Sequence, residues 1–226
     1  PGGMISIGLD LKRNTEIFYW STIEEANIAK QEIFSGNYLS AVDTLQSKLL
    51  VAVNSQMHAD VPLGAFLSGG VDSSTIAALM QEQSSKKVKT FSIGFEDKRY
   101  NEAEHAKLVA NHLGTDHHDM YVSSKDALNI LPLLPDMFDE PFADSSQIPM
   151  YLVSKIAKSK VTVCLSGDGG DELFGGYNRY LVASKLWNKI SKIPKPGKSV
   201  LSYLIKSLKP SSWDKISDLL YKNKYS

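Results

Sequence analysis

The chain opens on an alternation. Ile5, Ile7, Leu9 and Leu11 occupy every second position, the period of a half-buried strand. Lys12-Arg13-Asn14 would turn the chain so that Ile17-Phe18-Tyr19-Trp20 returns beside it. Ser21-Thr22-Ile23-Glu24 has the spacing of a capping box, which predicts a helix start. Leu45, Leu49, Ala52 and Val53 share one face of a helix predicted over Ser40 to Met57.

The pattern then changes to strands and helices in turn. Leu63 to Leu67 is a short apolar run that stops at Ser68-Gly69-Gly70, and Ile76, Leu79 and Met80 follow at helical spacing. Val88 to Phe95 reads as a second strand of this series. Asn101-Glu102-Ala103-Glu104 would cap a helix whose inner face is Ala106, Val109, Ala110 and Leu113, and Gly114 would end it. His117 to Val122 predicts a third strand, 124–137 and 144–159 predict helices, and Val161 to Leu165 predicts a buried strand before a glycine-rich loop at 167–176. Such alternation predicts an α/β fold, a Rossmann-like parallel sheet with helices on both faces. Ligands of such sheets bind beyond the carboxyl ends of the strands, near the switch in strand order. Both glycine-rich loops directly follow predicted strands.

From Lys185 onward the character shifts again: ten lysines stand against two aspartates, and Pro194, Pro196 and Pro210 break the run. Leu201, Leu204, Ile205 and Leu208 mark one amphipathic helix there, read as a solvated helical surface. The segment lacks the aromatic interleaving that single-stranded nucleic acid needs. Formal net charge is zero, so no global field argues for a nucleic-acid partner. No apolar run approaches the roughly 20 residues of a membrane span. The single cysteine, Cys164, excludes an internal disulfide and a multi-cysteine metal site and fits a reducing cytoplasm. The chain starts Pro1-Gly2-Gly3 and ends Tyr225-Ser226, which reads as an excised piece of a longer protein.

The most informative stretch is Leu67-Ser68-Gly69-Gly70-Val71-Asp72-Ser73-Ser74. Gly69 and Gly70 let backbone amides line a concavity that a phosphate can approach closely. Ser68, Ser73 and Ser74 add hydroxyl donors, and the helix that follows offers free N–H groups and its positive dipole end. Asp72 would repel phosphate unless it holds Mg²⁺, which takes one or two carboxylates together with phosphate oxygens. The loop lacks the Gly-Lys-Ser/Thr ending of a Walker motif, and no lysine lies between Lys48 and Lys86. It also lacks the third glycine of a dinucleotide fingerprint. A strand, Ser-Gly-Gly-x-Asp-Ser and a helix resemble the PP-loop of the ATP pyrophosphatases, which cleave ATP between the α and β phosphates.

A second stretch, Ser166-Gly167-Asp168-Gly169-Gly170-Asp171-Glu172-Leu173-Phe174-Gly175-Gly176-Tyr177, sets three acids among glycines. That is a poor recipe for a stable helix and a good one for a metal and phosphate site on tightly turning backbone. Together, LSGGVDSS and LSGDGGDELFGGYNRY resemble the synthetase domain of glutamine-hydrolysing asparagine synthetases. ADVPLGAFLSGG, FSIGF, VANHLGTDHH and FDEPFADSSQIPMYL extend the resemblance over Tyr19 to Tyr180.

The resemblance implies roles at matching positions. Leu67 and Ile93 would flank the adenine, and Ser166-Gly167 would contact the AMP part. Ser68, Gly69, Gly70, Asp72 and Ser73 would hold the β and γ phosphates, with Asp72 and Asp171 sharing Mg²⁺. Asp168 stands where many family members carry glutamate, at a position tied to forming the acyl-adenylate, and its reach is one methylene shorter. Glu102 would add a contact near the metal. Asp139, Glu140, Asp144 and Ser145 would face the acceptor, although the arginine some members carry near Ser145 is missing. The implied substrates are ATP, aspartate and ammonia, with a glutaminase domain expected on the amino-terminal side and a homodimer admitted. On this reading residues 1–20 are a seam from that domain, 21–184 the PP-loop synthetase domain, and 185–226 a Lys-rich helical extension cut short.

Three rival readings stand beside it: a related PP-loop amidotransferase acting on a sugar acid, peptide or β-lactam precursor, a tRNA-thiolating enzyme, and a non-catalytic ATP-binding module. Thiolation needs a reactive cysteine, and Cys164 in a strand is ill-placed for it. Cys164 reads as a small core residue, and His117-His118 has too few further ligands nearby for a metal. Trp20, Trp187 and Trp213 read as packing. Phe174 and Tyr177 either close the second loop over the site or pack in the core.

Overall fold

The computed structural model describes residues 2–10, 13–96, 101–140, 144–207, 209 and 212. Of the expectations above, Leu11, Lys12, Leu208 and Trp213 lie outside the described residues.

Four parallel strands form the central sheet: β3 (Leu63–Phe66), β4 (Lys89–Phe95), β5 (Asp116–Val122) and β6 (Val163–Leu165), in the order β5-β4-β3-β6. Ala65 faces Thr90 on one side and Leu165 on the other, so β3 is a central strand. The crossover from β3 to β4 runs through α3 (Val71–Gln83), and that from β4 to β5 through α4 (Ala103–Leu113). The chain then returns through α5 (Ser124–Ile130), a 3₁₀ turn, α6 (Leu134–Met137) and α7 (Gln147–Lys158) to place β6 on the far side of β3. The order therefore reverses between β3 and β6, and the loops after these two strands are neighbours at the carboxyl edge.

Side-chain alternation assigns the faces. Ala65 packs with Val53 of α2 (Tyr38–Met57) and with Leu79 and Met80 of α3, while Leu67 packs with Ala77 of α3 and with Ala106 and Ala110 of α4. Phe91, fully buried, points the other way onto Val153 and Ala157 of α7. Val122, Ile130 and Leu152 complete the second layer. Helices thus cover both faces, as the near-continuous apolar strands require.

Several boundaries differ from the sequence expectation, each for a visible reason. β1 (Gly3–Ile7) and β2 (Arg13–Phe18) form a separate antiparallel pair, with a turn at Leu9-Asp10 and with Arg13 and Asn14, expected in the turn, already in β2. All five β1 residues are exposed, so no core face holds Leu9 to the alternation. The helix expected over 124–137 is interrupted at Leu131–Leu133, where Pro132 and Pro135 each remove a backbone donor. Its start carries a capping box, Ser123 with Asp126, that the sequence reading passed over. The second loop contains a short helix, α8 (Gly170–Phe174), where only loop was expected. Left-handed Gly169 and Gly175 bracket it, and Asp171 and Glu172 sit in its first turn, where the helix dipole favours anions. Downstream, α9 (Asn178–Ile190) and α10 (Lys195–Ser207) carry the described part of the Lys-rich region. Trp20, ahead of α1 (Thr22–Gln31), lies over Gly2 and is otherwise exposed, and Trp187 on α9 is exposed.

Candidate active site

The first loop is held open from within. Leu67 extends the sheet by donating its N–H to the Phe91 carbonyl. Gly69 then turns at φ +83°, and a Cβ there would lie 2.7 Å from the Ala106 amide nitrogen, so only glycine lets the loop rest on the first turn of α4. The Ser68 N–H donates to Ser73 Oγ at 3.2 Å, the two hydroxyls meet at 2.9 Å, and the Gly70 N–H donates to Ser68 Oγ at 3.2 Å. Ser68 and Ser73 thereby tie the loop to the start of α3. Gly70 is the N-cap of α3 and supplies no side-chain cap, so the first amides of this 13-residue helix have no capping acceptor. Ser74 is not brought to the loop face: its Oγ is buried and has no hydrogen-bond partner.

The second loop packs directly on the first. A Cβ at Gly167 would stand 2.7 Å from the Ser73 amide nitrogen and 2.8 Å from the Asp72 carbonyl carbon. One at Gly170 would stand 2.6 Å from Asp72 Cγ. Asp72 therefore projects into a cradle shaped by missing side chains, while the Asp171 carboxylate lies against Gly176 and does not line the cavity that holds Asp72. Ser166 Oγ donates to Asp168 Oδ2 at 3.0 Å, fixing that carboxylate beside the turn. Past α8, Tyr177 donates its hydroxyl to Glu172 at 2.6 Å, and the Arg179 guanidinium lies 4.0 Å above the Tyr177 ring. Those contacts hold Glu172 below the usual carboxylate range, the Tyr177 hydrogen bond foremost. Phe174 is exposed, so it packs in no core.

Cavities lie on either side of this junction. A slot of about 160 Å³ is lined by Leu67, Ser68, Ile93 and Glu102, under Ser146 and Met150 at the start of α7. The resemblance assigns these first four to separate adenine, phosphate and metal roles; the roof from α7 has no signal in the sequence, because nothing local ties it to the loops. A second cavity of about 430 Å³ has Asp72, Asp168 and the backbone of 166–170 on one wall and Leu45, Leu49 and Ile76 on another. A third, about 680 Å³, sits past β4 and β5 and includes Ser145. Asp144 accepts from the Ser146 N–H at 2.8 Å, and the hydrogen bonds from Ser146 depress its carboxyl. Asp139 and Glu140 are exposed. Among the described residues no three His, Cys, Asp or Glu side chains gather as a metal cluster.

The family model described as asparagine synthase matches residues 44–224. The chain belongs to the asparagine synthase family. A Methanocaldococcus jannaschii protein provisionally named as glutamine-hydrolysing asparagine synthetase 2 is 39% identical over 188 residues, covering 83% of this chain and 35% of its own length. Glutamine-hydrolysing asparagine synthetase 1 of Bacillus subtilis is 42% identical over 164 residues, covering 69% of this chain and 26% of its own. The chain thus spans about a third or less of these relatives. Among solved structures, the NH3-dependent NAD synthetase of Campylobacter jejuni, in complex with a nitrate ion, overlaps 81% of this chain and 97% of its own at 16% identity and a TM-score of 0.42, too loose a likeness to bear on the site.

Within this asparagine synthase fold, Cys164 is half-buried in β6, and burial pushes its thiol from 9.0 up to about 11. Two units make the thiolate about a hundredfold scarcer, and the greater nucleophilicity of a more basic thiolate returns about tenfold of that. Alkylation of folded protein at pH 7.5 is expected to run about ten times slower than in denaturant. Equal rates would show an accessible, ordinary thiol. Among the described residues no helix is long and apolar enough to cross a membrane.

Proposed function

We propose that this chain carries the ATP-pyrophosphatase chemistry of an asparagine-forming ligase, activating the side-chain carboxylate of aspartate as an acyl-adenylate and passing it to ammonia. The observation that carries the reading is the meeting of two glycine loops at Asp72, beside the switch in strand order. Leu67 and Ile93 would hold the adenine in the slot under α7, with Ser166 and Gly167 on the AMP side. Ser68, Gly69, Gly70, Ser73 and the free amides of α3 would receive the β and γ phosphates. The carboxylates of Asp72 and Asp171 suit Mg²⁺, since hard oxygen ligands too few for a protein cage leave positions for phosphate oxygens. Bound there, the ion would neutralise charge on the departing pyrophosphate.

Balanced, the reaction has two displacements. A carboxylate oxygen of aspartate bonds to the α-phosphorus as the bond to the β-phosphate bridge breaks, releasing pyrophosphate. The ammonia nitrogen then bonds to the acyl carbon, and AMP departs with the oxygen that joined them. Asp168, braced by Ser166, would position the adenylate, while Asp144 and Ser145 would face the acceptor. Catalysis in the first step is placement and charge stabilisation. Exposed Ile23 on α1, Tyr38 and Val51 on α2 and Ile33 between the two helices support a covering glutaminase domain, and a cytoplasmic setting fits the lone thiol.

Incubation with ATP, aspartate and ammonium, followed by separation of nucleotides, is expected to yield AMP and pyrophosphate in repeated turnovers only when all three are present, with ATP and aspartate alone releasing pyrophosphate for the first turnover. ADP with inorganic phosphate, and no AMP, would overturn the assignment. A sugar acid that replaced aspartate with higher turnover would move the chain to the rival amidotransferase reading.

A further inference from the structure

Behind the slot runs a part-buried polar relay that the reaction scheme does not use. On β5, His117 is paired in register with Thr90 of β4, and its ring bridges two hydroxyls of that strand. Nδ1 lies 2.9 Å from Thr90 Oγ1, and Nε2 lies 3.2 Å from Ser92 Oγ. Thr90 Oγ1 in turn meets Thr115 Oγ1 at 2.9 Å, and Thr115 donates to the Ala110 carbonyl at 3.5 Å.

That carbonyl can only accept, and with the Thr115 hydroxyl donating to it at 3.5 Å the other directions in the row follow. Thr115 donates to Ala110 and accepts from Thr90. Thr90 must then accept from His117, which places the ring proton on Nδ1. Nε2 is left as an acceptor, and it takes the hydroxyl proton of Ser92. Thr90 and Ser92 are both buried, and Ser92 also lines the slot between Leu67 and Ile93.

Protonating Nε2 reverses the last link. Ser92 Oγ would have to accept, and its own proton would lose its partner in a buried place, where an unpaired donor is costly. The surroundings already disfavour that charge: burial pushes the His117 ring below its ordinary 6.5, with His118 on its own strand and Lys107 on α4 adding to the effect and Asp119 opposing it. β4 meets the ring with hydroxyls.

Resting on the nucleotide reading above, we infer that His117 is a positioning residue for the adenine slot, keeping the Ser92 end of β4 in its binding geometry only while the ring is neutral. Nucleotide binding is thereby coupled to a proton through a group that touches no nucleotide.

The sign for stability follows from the same relay. The unfolded chain binds the His117 proton more readily than the folded one, so stability is full above 6.5 and is lost as pH falls below that value. Thermal melts of the parent should therefore drop between pH 7.5 and 5.5 by more than those of His117→Gln, which keeps hydrogen-bonding capacity and cannot titrate.

The decisive test is ATP binding by calorimetry with Mg²⁺ present at pH 7.5, 6.5 and 5.5, in the parent, His117→Gln and Ser92→Ala. Protonation of the terminal phosphate of ATP, near pH 6, is common to all three and cancels in the comparison. The parent is expected to lose about fivefold more affinity than either variant between the pH extremes, an ordinary coupling between two sites. Ser92→Ala should flatten the profile while His117 remains, which guards against a His117→Gln protein that fails to fold. Matching profiles in all three would overturn the positioning role and leave the nucleotide site standing. No ATP binding at any pH, even in the parent, would overturn both.

Discussion

Replacing Asp72 with Asn is expected to lower aspartate-dependent pyrophosphate release by about a hundredfold or more, the usual effect of losing a group that stabilises developing charge. The substitution is nearly isosteric, and Asp72 stands in a cradle left by Gly167 and Gly170, so the fold has no reason to change. Melting temperature should stay within about 2 °C of the parent, as for substitutions that leave packing intact. ATP titrations with and without Mg²⁺ separate the causes. The parent should bind far better with the ion, and Asp72→Asn should lose most of that difference. If Asp72→Asn titrates MgATP like the parent, Asp72 holds no metal and the phosphate end of the site lies elsewhere.

Replacing Gly167 with Ala should do more, through shape rather than charge. The added carbon would fall 2.7 Å from one backbone atom of the first turn of α3 and 2.8 Å from another, and backbone cannot swing aside as a side-chain tip can. The two loops must part, at a cost of about 1–3 kcal/mol for an overpacked contact. In a chain of this size that lowers the melting temperature by several degrees, about 2–4 °C per kcal/mol. ATP affinity should fall at least about tenfold, because both loops lose their mutual register. Gly114→Ala is the control. Gly114 is left-handed at φ +71° with open space around its would-be Cβ, so alanine there costs backbone strain of about 1–2 kcal/mol. It should reduce stability and spare ATP affinity. Equal losses of affinity in both variants would mean that general destabilisation, not the loop junction, governs binding.

These two glycines also show how far the sequence could be read. The strand before Ser68-Gly69-Gly70 and the helix after it were legible because apolar run, glycine turn and helical spacing follow one another locally. That Gly167 and Gly170 would press on Asp72 was not. The contact depends on β6 returning to the far side of β3, and no local pattern encodes which edge a returning strand takes. The roof of Ser146 and Met150 was hidden for the same reason. His117 shows a third limit. Sequence argued against it as a metal ligand for want of ligands nearby, but its bond to Thr90 follows from strand register, and the direction of its proton from a carbonyl four residues before Gly114.

Elsewhere one local signal outweighs another. Pro132 and Pro135 were visible, yet the apolar spacing across them suggested one helix. Three acids among glycines argued against helix at 170–174, yet left-handed caps and acids at its positive end offset the poor propensity. The opening alternation failed for a physical reason: with every β1 residue exposed, nothing enforces a buried face on Leu9.

The central claim is that a carboxylate oxygen of the acceptor attacks the α-phosphorus of ATP. Aspartate labelled with ¹⁸O in its side-chain carboxylate tests this most directly, with AMP recovered after turnover with ATP and ammonium and examined by mass spectrometry. The account predicts one ¹⁸O atom in each AMP formed, carried over when ammonia breaks the acyl–oxygen bond. AMP free of label, formed at the same rate as asparagine, would contradict it.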